Sequence, residues 1–134
     1  MSTSATSPEQ EAILAEVVEQ PILADEVSWP SARGRHTQDG NQDFVTTRAV
    51  QARDIETLIP TLAGDRRRLR LLGFYYYNWA GLEHAGGLPF EFSGLFRFQS
   101  GTFIPKPAFE AFKGATLGIE GCRAKGPLAT SCER

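Results

Sequence analysis

Glu26 closes an otherwise apolar run, PILADEVSW, and is followed at once by Trp29 and a Pro-bounded loop. A carboxylate at the end of a strand, with a loop beyond it, is placed to attack an electrophile or to hold a ligand hydroxyl. The same position also suits a structural glutamate paired with an arginine, and position alone leaves both roles open. Asp25 points to the other side of the strand by the period of two, so the two acids are not expected to work as a dyad. The second chemical feature is Tyr75-Tyr76-Tyr77-Asn78-Trp79. Aromatic rings offer flat apolar faces for stacking on sugars, while Asn and Tyr tips can hold hydroxyls. Asn78 and Trp79 fall at the boundary with a loop and are the better ligand candidates, joined by Tyr77 and Trp29. Tyr75 is expected in a sheet buried beneath helices. His36 and His84 stand alone in polar or Gly-rich loops, and Glu83, Glu91 and Asp39 are expected to be solvated loop charges.

These residues must be carried by a chain of 134 residues and 14.7 kDa, 41% apolar and 10% aromatic, enough for one domain with an ordinary core. Fourteen basic residues against sixteen acidic ones, without long blocks, argue against a phosphate-tracking or anionic-membrane surface. No nucleic-acid partner is expected. No run approaches the roughly 18 apolar residues of a membrane span, and the opening MSTSATSPEQ lacks a basic, then apolar, signal-peptide pattern. Cys122 and Cys132 lie in the Gly-rich tail with Gly126 and Pro127 between them, so a disulfide and two free thiols are both compatible with the spacing. Neither has a nearby His, which argues against nucleophilic or zinc chemistry.

The elements follow from pattern. Ser7, Pro8 and Gln10 predict a helix start, and Ile13, Leu14, Val17 and Val18 make a narrow apolar stripe that runs to about Glu19 before Pro21. Ile22, Leu23 and Val27 predict a short buried strand, followed by the long polar loop SARGRHTQDGNQD with a turn at Asp39-Gly40. Thr46 or Thr47 caps a helix whose stripe is Ala52, Ile55, Leu58, Ile59 and Leu62, and Pro60 is expected to kink it or end it near Ile59. The charge run Asp65-Arg66-Arg67-Arg68 precedes LRLLGFYYYNW, apolar or aromatic on both faces as a parallel strand covered on both sides would be. FRFQSGTFI predicts a hairpin about Ser100-Gly101, and Lys106-Pro107 opens a last helix seated by Phe109 and Phe112. This alternation is α/β, with two to three units.

Taken together, PILADEVSWPSARG, TTRAVQARDIETL, LRLLGFYYYNWAG and FSGLFRFQSGTFIPKPAFEAF resemble the C-terminal quarter to third of clan A glycoside hydrolases, nearest to bacterial members related to families 5 and 39. The resemblance implies a partial (β/α)8 TIM barrel, its last two to three β/α units, over residues 1–116, with 117–134 as a separate Gly-rich tail. It implies that ADEVSWPS is the seventh barrel strand and Glu26 the catalytic nucleophile of a retaining enzyme. GFYYYNW would be the eighth strand, with Trp79 stacking on the sugar at the cleavage point, while Ser93 and Lys106 are structural. Asp25 departs from the Thr or Ser usual in the family, and a second charge beside a nucleophile disfavours its ionisation.

A retaining glycosidase needs two carboxyl groups about 5 to 5.5 Å apart. The family's acid/base Glu follows an Asn, and no Asn-Glu pair occurs in this sequence. A complete barrel also takes roughly 250 residues. The expectation is therefore a C-terminal barrel fragment acting on a carbohydrate substrate, needing no cofactor or metal, inactive alone, and prone to self-association or to pairing with a missing N-terminal barrel half. Export is suggested by the resemblance alone. The other reading is a small non-catalytic α/β module that binds carbohydrate or a protein.

Overall fold

The structure, a computed structural model, describes residues 20–38, 42–125 and 128–132. The helix expected before Glu19, the turn at Asp39-Gly40 and the loop acid Asp39 lie outside the described residues. The chain is mixed α/β. Strand β1 (Ile22–Val27) is followed by helix α1 (Arg48–Asp65) and strand β2 (Leu71–Tyr76), and β1 and β2 pair in parallel. Two parallel neighbours need a crossover, and the 18-residue helix α1 supplies it.

Beyond β2 comes a second small sheet. The two-residue strand β3 (Ala80–Gly81) pairs in parallel with β4 (Phe96–Gln99), which turns through Ser100-Gly101 into antiparallel β5 (Thr102–Pro105). Ser100 and Gly101 have φ of 50° and 77°, the left-handed pair that a two-residue hairpin turn demands. A 3-10 turn (Pro89–Phe92) lies between β3 and β4. Helix α2 (Pro107–Ile119) starts on Pro107, whose missing N–H costs nothing at a first helical position. The tail then forms an antiparallel hairpin of β6 (Cys122–Lys125) and β7 (Leu128–Cys132), in which the Cys122 and Cys132 backbones stand opposite each other.

Helices α1 and α2 pack together and against the Phe74–Tyr76 face of β2. Ile55, Ile59, Leu95 and Ala108 are buried at the centre, with Phe74, Tyr76, Trp29, Phe96 and Phe112 packed around them. Burying each of the two isoleucines contributes about 1.5–3 kcal/mol. The β3 segment and the 3-10 turn approach closely, and a Cβ on Gly81 would overlap the Glu91 carbonyl.

Two local expectations are corrected. Helix α1 does not end near Ile59 but continues through Pro60 to Asp65. Pro60 and Glu56 both lie on the exposed face, so the Glu56 carbonyl that loses its helical donor is accessible to water, while Ile59 remains anchored in the core. Strand β2 is not covered on both sides: Tyr75 is 63% exposed. Only the Phe74–Tyr76 face meets helices, and the opposite face has no layer over it among the described residues.

Candidate functional site

The parallel ladder brings the carboxyl ends of β1 and β2 side by side. Val27 is the register partner of Tyr76, and the Tyr77 N–H donates to the Val27 carbonyl at 2.9 Å. Glu26 and Tyr77 therefore occupy neighbouring strand ends, both exposed.

The register along β1 is not uniform. Ala24 partners Phe74 and Val27 partners Tyr76, so two residues, Asp25 and Glu26, stand against the single Tyr75. An extra residue in one strand breaks the strict alternation of sides. The period-of-two argument that separated Asp25 from Glu26 thus fails at this point, and both carboxylates are exposed.

The other candidates are distributed differently. Trp29 turns back onto the core, its ring stacked on Tyr76 at 6.5 Å between centroids. Asn78 accepts the Leu95 N–H at its carbonyl, 3.1 Å, and its side-chain oxygen is buried with no hydrogen-bond donor. The Tyr77–Asn78 peptide is cis. Trp79 is 57% exposed, and its ring leans on Phe96 (4.8 Å) and Phe109 (6.0 Å), so its neighbours are the β4–β5 hairpin and α2. Glu26 and Tyr77 are brought together by the ladder, Trp79 is carried onto the hairpin, and Trp29 is carried into the core.

Behind the strand ends lies a polar network. Gln51, fully buried on α1, donates its amide N–H groups to the carbonyls of Trp29 (2.8 Å) and Ser93 (2.9 Å), with the Tyr76 hydroxyl at 3.2 Å. Tyr76 in turn donates to the Ser93 carbonyl at 2.9 Å. Burial pushes the Tyr76 phenol up to about 12, against the opposing pull of the Gln51 hydrogen bond.

A second cluster is built on Lys106, the residue just before α2. Its ammonium donates to the Ser31 hydroxyl and the Phe92 carbonyl, each at 2.8 Å, and pairs with Glu83 at 2.8 Å. Two hydrogen bonds and one ion pair thus surround the ammonium. The other oxygen of Glu83 accepts from Arg48 at 2.5 Å. Burial lowers the Lys106 pKa from its ordinary value, partly countered by Glu83, and the Arg48 charge adds to the lowering.

This cluster corrects the expectation of solvated loop acids. The Glu83 side chain is 2% exposed and holds two cations. Glu91 pairs with His84 at 2.6 Å and accepts the Leu88 N–H at 3.3 Å, so His84 is not isolated either. The partners of Glu83 lie 35 and 23 positions away in the chain, and no local spacing announces them. The one local signal is Lys106 itself, a long cation placed where a short capping side chain is usual.

The long loop after β1 folds onto its own base. Thr46 N–H donates to the Pro30 carbonyl (2.8 Å) and Arg33 N–H to that of Thr46 (3.0 Å). An open groove of about 370 Å³, lined mainly by Ile59, Leu62, Leu72, Phe74, Phe112 and Ile119, lies toward the amino end of β2, away from Glu26. Among the described residues no three His, Cys, Asp or Glu side chains are grouped to hold a metal, and no helix is long and apolar enough to cross a membrane. No protein-family model matches the chain, and no curated protein matches it significantly.

Proposed function

We propose that β1, α1, β2 and α2 are the last two β/α units of a (β/α)8 barrel of a retaining glycoside hydrolase, with Glu26 as its nucleophile. The observation that supports this most is the parallel β1–β2 pairing, which presents the exposed Glu26 carboxylate beside Tyr77 at the carboxyl ends of the strands. That is the end at which barrel enzymes carry their chemistry.

In this reading Glu26 attacks the anomeric carbon, a glycosyl ester forms, and the leaving oxygen takes a proton from a second carboxylic acid. Water then hydrolyses the ester. Tyr77 borders the reacting sugar, whereas Trp29, packed into the core, and Trp79, packed onto the hairpin, are assigned no sugar contact. The second acid belongs to an Asn-Glu pair that this sequence lacks, so the 134-residue chain alone is expected to show no turnover above background.

The test uses an antibody to residues 35–45 on source cells, read on a denaturing gel. A species several-fold heavier than 14.7 kDa, whose glycosidase activity is lost in Glu26→Gln, is the expected result. A species at the chain's own mass, or activity indifferent to Glu26→Gln, overturns the reading. A carbohydrate-binding module without catalysis then becomes the better account, favoured by Trp79 and Phe103, 57% and 55% exposed and both in contact with the Phe96 ring. Titration with soluble oligosaccharides, read by tryptophan fluorescence with Trp79→Ala as control, tests that account.

A further inference from the structure

The carboxyl-terminal hairpin has little to hold it together by packing. Strands β6 and β7 pair only with each other among the described residues, and their sequences, CRAK and LATSC, include Leu128 as the one large apolar residue. A two-stranded hairpin of this kind is marginally stable at best in water. Its first residue is nevertheless firmly placed, because Gly121, with φ of 61°, turns the chain from the end of α2 directly into Cys122.

The register of the two strands brings the chain's two cysteines together. Lys125 pairs with Leu128 and Ala124 with Ala129, after which the register shifts, so that Arg123 pairs with Ser131 and Cys122 with Cys132. Thr130 is the extra residue at that shift. Without it Arg123 would stand opposite Thr130 and Cys122 opposite Ser131, and the cysteines would miss each other by one position. Directly opposed residues of an antiparallel pair share a face of the ladder, with Cα atoms about 4.5–5.5 Å apart. A disulfide spans Cα separations of about 4.4–6.8 Å.

We propose that Cys122 and Cys132 form an intrachain disulfide, which makes residues 122–132 a closed covalent loop attached to the end of α2. The oxidant is the disulfide of a low-molecular-mass thiol or of a thiol oxidoreductase. One cysteine thiolate attacks that disulfide, giving a mixed disulfide and releasing one thiol. The other cysteine thiolate then attacks the sulfur of the first, forming the Cys122–Cys132 bond and releasing the second thiol. Two electrons pass from the cysteine pair to the oxidant, and the two cysteine protons end on the two released thiols. The bond persists in a compartment where thiols are kept oxidised. Neither cysteine belongs to the strand ends that carry Glu26 and Tyr77, so the inference does not depend on the catalytic reading.

The test has two parts. Protein captured from source cells lysed in N-ethylmaleimide is digested with trypsin without reductant, and the expected product is peptide 114–123 linked to peptide 126–134, separating only on reduction. Either peptide carrying the maleimide as the main form, or linked to a different cysteine peptide or to a small thiol, overturns the proposal. The purified 134-residue chain is then equilibrated with reduced and oxidised glutathione and its intact mass read after alkylation. The expected oxidised form is a monomer lighter than the reduced chain by two hydrogens, about 2 Da, that takes up no maleimide. Denaturation in guanidinium is expected to lower the oxidation constant by about tenfold or more, because the ladder raises the effective concentration of one thiol at the other. A cysteine-linked dimer, or a constant equal in folded and denatured chain, overturns the proposal. The readouts are masses, so failure here leaves the Glu26 activity test untouched.

Discussion

The Glu83 carboxylate lies 2.8 Å from the Lys106 ammonium, and neither side chain is more than 2% exposed. Around this pair the loop after β1, the start of α1, the 3-10 turn and the start of α2 are held by Ser31, Arg48 and the Phe92 carbonyl. It is a junction at which these four segments and the Glu83 loop gather about one buried ammonium.

Removing Glu83 leaves the buried Lys106 ammonium without a carboxylate, whereas removing Lys106 leaves Glu83 paired with Arg48. Glu83→Gln is expected to cost about 3–5 kcal/mol in urea unfolding, and Lys106→Met less, because Arg48 still pairs with Glu83. The double variant should cost less than their sum, because it removes both charges together. Additive losses would show that the pair is not coupled.

Tyr76 gives a pH signature. Its phenol has a folded pKa of about 12 against an ordinary value of 10.0, so between these values the folded state holds a proton that the unfolded state releases. The stabilisation is complete below pH 10 and is lost as pH rises through about 12, on the order of 2–3 kcal/mol. Tyr76→Phe should remove this part of the slope of stability against pH. An unchanged slope would refute the assignment to Tyr76.

Gly81 has no room for a side chain, because a Cβ would overlap the Glu91 carbonyl on the crossing segment. Both partners are backbone, so no rotamer relieves the clash. Gly81→Ala is expected to cost about 3 kcal/mol or more, read as a lowered melting temperature. Gly64→Ala, in open space on α1, is the control and should stabilise by about 0.5–1 kcal/mol.

The hairpin turn is improvable. Ser100 holds a left-handed conformation at φ 50°, which Asn tolerates better than Ser. Ser100→Asn should raise stability by about 0.5 kcal/mol, seen as a small upward shift in the urea midpoint.

Much of this architecture is legible in local pattern. ILADEV and LLGFYY lie where strands are expected, although Ile22 and Leu23, expected buried, are exposed; the Ile55 and Ile59 stripe faces the core, and Ser100-Gly101 and Pro107 mark a turn and a helix start. Each of these depends on interactions within a few residues. What escapes is decided at a distance. The register shift that sets Asp25 and Glu26 against Tyr75 arises from the twist and pairing of β1 with a strand some fifty residues on. Trp29 and Trp79 differ in fate because one meets Tyr76 and the other Phe96, and neither encounter is encoded near the tryptophan. The continuation of α1 through Pro60 follows from which side of the helix meets water.

The Lys106 junction also sets an order of events during synthesis. The Ser31 hydroxyl and the Lys106 ammonium are 75 positions apart, so closing that contact entails ordering a long loop. While the amino-terminal portion emerges from a ribosome, β1 and α1 can form, but Arg48, Ser31 and later Glu83 have no lysine to gather around. Translation must therefore deliver the first turn of α2 before the earlier segments are locked, and a nascent chain halted short of Lys106 should remain sensitive to protease.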